Sequence, residues 1–158
     1  MPVRKSSAVW EGSFREGKGS VKLASGLFAA PYSAASRFEN GPGTNPEELI
    51  GAAHAGCFSM ALALILSGQK TPPKRIETAA DVDIEPDGQG YSIMSIALHT
   101  TAEVPGISEA DFLKAAEMAK AGCPVSTALK ATPITLAAHL KTYDKKTVPI
   151  VRCARSGG

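Results

Sequence analysis

The sequence predicts an α+β fold in which antiparallel strands pack around one long buried helix. Three observations predict it. Short strand-like runs punctuated by glycine fill the first forty residues, an almost unbroken apolar stretch follows a sharp helix start, and two alternating runs joined by a tight turn come next. In chain order the pattern reads as three strands, a helix, two strands, two helices and a last strand, with no repeat and no second domain.

Residues 8–39 hold the first strands: Ala8–Trp10, Ser20–Leu23 and a third run toward Arg37 and Phe38, separated by Gly12, the Glu16–Gly19 stretch and Gly26. Asn40-Gly-Pro-Gly43 forms a loop. The following Thr44-Asn-Pro-Glu-Glu48 is a helix start. Asn45 or Thr44 can cap, Pro46 suits the first helical position, and Glu47 or Glu48 falls where a capping-box carboxylate sits. The helix is expected to run to Ser67 and end at Gly68, about 33 Å at 1.5 Å per residue. Its core, Leu49–Leu66, is apolar enough to raise the question of a membrane span. Two glycines, His54, Ser59 and a soluble-type cap favour a helix buried in a globular core instead.

Ile76–Ile84 alternates in strand fashion, Pro86-Asp87-Gly88 makes a turn, and Tyr91–Glu103 returns as the partner strand. Ser108 caps a helix over Glu109–Ala121 with Phe112, Ala115, Ala116 and Ala119 on one side. Gly122-Cys123-Pro124 breaks it and opens a short helix to about Lys130, and Ile134–Leu140 is the last strand. Residues 1–141 thus form one domain. Residues 142–158, with Lys145, Lys146, Arg152 and Arg155 against Asp144, read as a loose basic tail.

Composition narrows the function. With 158 residues, 44% hydrophobic and 20% charged, the chain suits a single well-cored globule. A net charge of +2 without a basic stripe argues against nucleic acid as a partner. The three cysteines, 57, 123 and 153, are too few and scattered for a secreted disulfide scaffold, and no Cys/His spacing fits a metal site. No apolar core follows Arg4 and Lys5, so no signal peptide is expected, and a reducing, cytoplasmic setting is.

Two readings of Cys57 stay open on local sequence. It is either a small buried hydrophobe or a reactive thiol kept accessible by its slim neighbours Ala52, Ala53, Ala55 and Gly56. Lying about 16 Å into its helix, it gains nothing from the dipole, so an arginine from elsewhere would have to hold its thiolate. Cys123 begins a helix, where N–H groups favour an anion; local physics makes it the more acidic thiol, or else a polar cap. His54 shares a helix face with Cys57 and reads as a core residue or a base, while Glu47 and Glu48 suit the positive end of a helix.

The run from Gly43 to Leu62, GTNPEELIGAAHAGCFSMAL, resembles the central helix of the OsmC/Ohr family, as do Ala121–Ser126 (AGCPVS) and Val104-Pro-Gly106. Trp10-Glu-Gly12 and Ser36-Arg-Phe-Glu39 resemble the OsmC branch. The likeness spans residues 8–141. It implies an OsmC-like fold, an intertwined homodimer with active sites at the subunit interface, and thiol-based reduction of organic hydroperoxides as part of an oxidative stress response, with no cofactor. By position it implies Cys57 as the peroxidatic and Cys123 as the resolving cysteine, with Glu47 holding the catalytic arginine. Arg37 fits the OsmC pattern, and Arg15 lies where the Ohr branch carries its arginine; Arg37 is preferred. The resemblance further implies a lipoylated protein or another dithiol as reductant. A ligand-binding sensor and a thiol–disulfide reductase are the alternatives on the same residues.

Overall fold

The computed structural model describes residues 2–141. In chain order its elements are β1 (Ser6–Glu11), β2 (Lys18–Leu23), β3 (Ala29–Tyr32), α1 (Ala34–Phe38), α2 (Pro46–Gly68), β4 (Arg75–Pro86), β5 (Tyr91–Glu103), α3 (Glu109–Gly122), α4 (Pro124–Ala128) and β6 (Ile134–Leu140). The expected α+β architecture is present. The expected tail over 142–158, with Cys153, lies outside the described residues.

Two three-stranded sheets flank the long helix in sequence, in the orders β1-β2-β3 and β4-β5-β6. The first is a wholly antiparallel meander. In the second, β4 and β5 form a long antiparallel hairpin with a bulge between Asp83 and Ile84. β6 departs from the expected antiparallel pairing and runs parallel to β5, Ile96 opposite Ile134 through Ala102 opposite Leu140. The reason is topological. α3 and α4 intervene between the two strands, and a helical crossover returns the chain to run in the direction it left.

The first sheet also corrects an expectation. The third strand stops at Tyr32, and Arg37 sits on a helical turn instead. Ser33 and Ser36 form a reciprocal capping box there, each side chain accepting from the other's backbone N–H. Small hydroxyl side chains at that three-residue spacing overrode the strand reading.

α2 begins as expected. Asn45 caps it by accepting from the Glu48 N–H at 2.8 Å, and Pro46 takes the first turn. Gly43, at φ 118°, makes the entry turn, where an added Cβ would lie 2.6 Å from the Pro31 carbonyl. One face of α2, at Gly51, His54, Phe58, Leu62 and Leu66, is buried. It packs on β4 and α3. Gly51 permits a close approach to β4, since a Cβ there would lie 3.1 Å from the Ala80 carbonyl. Phe58, Leu62 and Leu66 join Leu98, Ala102, Val104, Phe112, Ala115, Ala116 and Ala119 in a single core.

The opposite face of α2 departs from the expectation of a buried helix. Met60 and Leu64 are each 76% exposed, and Ala52, Ala53 and Gly56 are exposed with them. By length and composition the helix could cross a membrane, yet its other face is committed to the core.

Candidate active site

α2 and the α3–α4 junction bring the two described cysteines together. Cys57 lies midway along α2, with Phe58 beside it anchoring the helix in the core. Cys123 ends α3 and begins α4, at φ −64° and ψ 124°. Pro124 enforces that break, because a residue preceding proline is driven out of the helical region. The chain turns there, and the side chain points back at α2. The two sulfurs lie 2.9 Å apart, although 66 residues separate them in sequence.

Access distinguishes the pair. Cys57 is half-buried and Cys123 fully buried. A Cβ added at Gly56 would meet nothing within 4 Å, so the small residues beside Cys57 leave space open in this chain rather than serving close packing.

Acidity runs the other way. Burial raises the Cys57 pKa, and its hydrogen bond with Cys123 raises it further against weaker help from the Val125 N–H. Burial also opposes ionisation of Cys123, but hydrogen bonds from Cys57, from the Ser126 N–H and hydroxyl and from the Val125 N–H outweigh it. Its pKa falls below the ordinary thiol value. Cys123 is therefore the more acidic sulfur, as its place at a helix start suggests. Within the pair, negative charge is therefore favoured on the buried member.

Arg37 and Glu47 also meet. The Arg37 Nη2 donates to Glu47 Oε1 at 2.6 Å, and its Nε donates to both carboxylate oxygens at 3.1 Å. Glu47 is buried, and the guanidinium rests 5.1 Å from the Phe38 ring centre. The two neighbouring glutamates divide their work. Glu48 stays exposed and accepts from the Thr44 hydroxyl at the helix start, leaving Glu47 to the arginine. The helix start in turn is tied to α1, because Asn45 Nδ2 donates to the Ser36 carbonyl and the Ser36 hydroxyl donates to the Thr44 carbonyl. This fixes Arg37 over Glu47.

The arginine pair and the sulfur pair stay apart within one chain. Glu47 and Cys57 are ten residues apart on α2, about 15 Å along its axis, and no hydrogen bond joins Arg37 to either sulfur among the described residues. Arg15 is exposed, and no hydrogen bond or ion pair engages it among the described residues. No cluster of metal-ligating side chains occurs among the described residues.

His54 takes the core place that its sequence reading allowed, and Ser126 gains one that the sequence did not assign. His54 is fully buried, its Nε2 lies 2.7 Å from the Ser126 hydroxyl, and its Nδ1 has no partner. Burial lowers the His54 pKa and keeps the ring neutral. Ser126 stands in the run AGCPVS, three residues after Cys123, and that spacing on a helix start was the available signal.

A dithiol of unequal access and acidity, lodged between a core helix and a proline-broken helix pair, defines a thiol-based redox protein. The comparisons agree. Residues 39–137 match the family model described as OsmC-like protein. The chain is 49% identical over 140 residues to "Peroxiredoxin OsmC" of Escherichia coli K12, covering 88% of this chain and 97% of that one. It is 34% identical over 90 residues to an "Organic hydroperoxide resistance protein-like" protein of Staphylococcus aureus, covering 56% and 64%. Among solved structures, an OsmC-like protein of Mycoplasma pneumoniae superposes with a TM-score of 0.70 at 14% identity, covering 89% of this chain and 99% of that one. An OsmC-like protein of Vibrio cholerae does so with a TM-score of 0.70 at 16% identity, covering 87% and 99%. The chain belongs to the OsmC-like family, and it is a peroxidase of that family.

Proposed function

We propose that the protein reduces organic hydroperoxides to alcohols, with Cys57 as the attacking thiolate and Cys123 as the resolving thiol. The observation that carries this reading is the 2.9 Å separation of two sulfurs so remote in sequence. Cys57 is the accessible member and so the one a hydroperoxide can reach. Loss of its proton arms it, with the Val125 N–H favouring the thiolate. The Cys57 thiolate takes the distal peroxide oxygen, the O–O bond breaks, and the alkoxide leaves as alcohol after gaining a proton. Cys57 is then a sulfenic acid. Cys123 attacks its sulfur, water leaves, and a Cys57–Cys123 disulfide forms ahead of over-oxidation. A dithiol, in this reading the dihydrolipoyl group of a lipoylated protein, takes up the oxidising equivalent and returns both thiols. No cofactor enters the sequence.

The second part of the proposal is a homodimer in which each site is completed by the partner. The Arg37–Glu47 pair is too far along α2 to serve its own Cys57, and the exposed apolar stripe through Met60 and Leu64 is suited to a second copy. An arginine delivered across that interface would hold the Cys57 thiolate and orient the peroxide, with Glu47 fixing its fork. Arg37 is favoured over Arg15 because it alone is held on a carboxylate. A single domain over residues 1–141 and a reducing, cytoplasmic setting belong to the same reading.

The test is direct. Purified protein is given cumene hydroperoxide with dihydrolipoamide, and peroxide loss is followed. Turnover is expected, and Cys57→Ser is expected to abolish it. Undiminished turnover in Cys57→Ser refutes the assignment. Free thiols counted before and after one equivalent of peroxide should fall by two per chain, both mapping to Cys57 and Cys123; no loss would refute the disulfide.

A further inference from the structure

His54 is the one fully buried imidazole, and the chemistry above does not use it. Its Nε2 meets the Ser126 hydroxyl at 2.7 Å across 72 residues of sequence. Both groups are buried, and Ser126 belongs to the same short helix that Cys123 begins. His54 in turn lies one turn before Cys57 on α2. The bond therefore ties α4 to α2 one helical turn from the sulfur pair.

The direction of the bond follows from counting protons. Ser126 has a single hydroxyl proton, and the neutral ring has one N–H. If Nε2 accepted from the serine, the ring proton would sit on Nδ1, a buried donor with no acceptor. Orphaned buried N–H groups are rarer than under-satisfied acceptors. With the proton on Nε2 the donor is satisfied, and the bare Nδ1 is a lone pair without a donor. That tautomer also leaves the serine O–H free to turn toward the Cys123 sulfur, since Ser126 stands three residues after Cys123 in the first turn of the helix that Cys123 begins. No charged side chain hydrogen-bonds to His54, Ser126 or either sulfur among the described residues.

We infer that His54 is a positioning residue for the resolving thiol: its Nε2–H fixes the Ser126 hydroxyl so that the serine proton is presented to the Cys123 sulfur. The inference rests on the assignment of Cys123 as resolving thiol. It adds a third group to the dithiol, held entirely within one chain. When Cys123 attacks the Cys57 sulfenic acid, its sulfur enters as a thiolate, the S–O bond of Cys57 breaks, and the hydroxide released takes a proton from solvent to leave as water. The serine hydrogen bond holds charge on Cys123 until that bond forms. An imidazole in the other tautomer would draw the serine proton away from the sulfur.

The pKa of Cys123 is read by pH-dependent alkylation with mass-resolved sites, in a Cys57→Ser background that keeps a hydrogen-bonding neighbour. His54→Leu is expected to raise the Cys123 pKa so that its thiolate fraction near neutral pH falls about tenfold. His54→Gln, whose amide N–H can donate as Nε2–H does, is expected to restore most of it, which a loss of packing alone would not predict. Ser126→Ala should reproduce the rise and add nothing to His54→Leu, and it serves where His54→Leu fails to fold. With Cys57 present, either variant should accumulate trappable Cys57 sulfenic acid after one equivalent of cumene hydroperoxide. An unmoved Cys123 pKa in Ser126→Ala overturns the inference, as does failure of His54→Gln to rescue while folded. These outcomes are separable from failure of the peroxidase reading, which would appear as absent turnover or thiol loss in the unaltered protein.

Discussion

Leu64→Glu is expected to weaken self-association without unfolding the chain. Leu64 lies on the face of α2 turned away from Phe58, Leu62 and Leu66, and takes no part in the core. It is 76% exposed. Full burial of a leucine is worth roughly 1.5–3 kcal/mol, so the exposed three-quarters leaves about 1–2 kcal/mol for a partner to gain. A two-fold interface uses the same residue twice, giving about 2–5 kcal/mol, or a dissociation constant raised roughly 30- to 5,000-fold. Two carboxylates stranded in an apolar interface would add to that. Sedimentation velocity over a concentration series measures the shift, with circular dichroism checking that secondary structure is unchanged. If the unaltered protein sediments as a monomer throughout, or if Leu64→Glu associates as strongly as it does, the stripe is not the interface. The cross-subunit completion of the site would then fall as well.

Other expectations concern one chain. Phe58→Ala removes a fully buried ring at the centre of the core and should cost about 3–5 kcal/mol in urea unfolding; a loss below about 1 kcal/mol would contradict the packing described. Glu47→Gln leaves the Arg37 fork with a neutral partner. Because that arginine is a third exposed, a stability loss of about 1–3 kcal/mol is expected. A fall in peroxide turnover larger than the fall in stability explains should accompany it, and unchanged turnover would refute a catalytic role for the pair. His54 is held neutral by burial, its folded pKa below the ordinary 6.5. Below that value the unfolded chain binds a proton the folded one refuses, so the contribution is fully present above pH 6.5 and is lost as pH falls. Stability in urea unfolding should therefore fall from pH 7.5 to 5.5, and the part of that fall due to His54 should vanish in His54→Gln.

Much of this molecule was legible in the order of its residues. The α2 start was readable because Asn45, Pro46 and Glu48 each do what their local chemistry favours, and β4 because Ile76, Thr78, Ala80, Val82 and Ile84 alternate with exposed partners. The acidity of Cys123 was readable from its place before Pro124. What escaped was everything set by pieces distant in the chain. The parallel pairing of β6 depends on where a crossover lands, which no local pattern encodes. The turn holding Arg37 was lost to a strand reading because capping by two serines is a weaker signal than alternation. His54 and Ser126 carry no mutual mark in sequence; only the packing of α4 on α2 joins them.

The closeness of the sulfurs has a consequence for endurance. The proposed disulfide between them would close a ring of about 66 residues. By the loop-entropy argument such a staple disfavours the unfolded chain by about 4 kcal/mol. On that reading the form of the molecule that has just met its oxidant would be the hardest one to unravel, and it would regain its ordinary fragility only on being reduced.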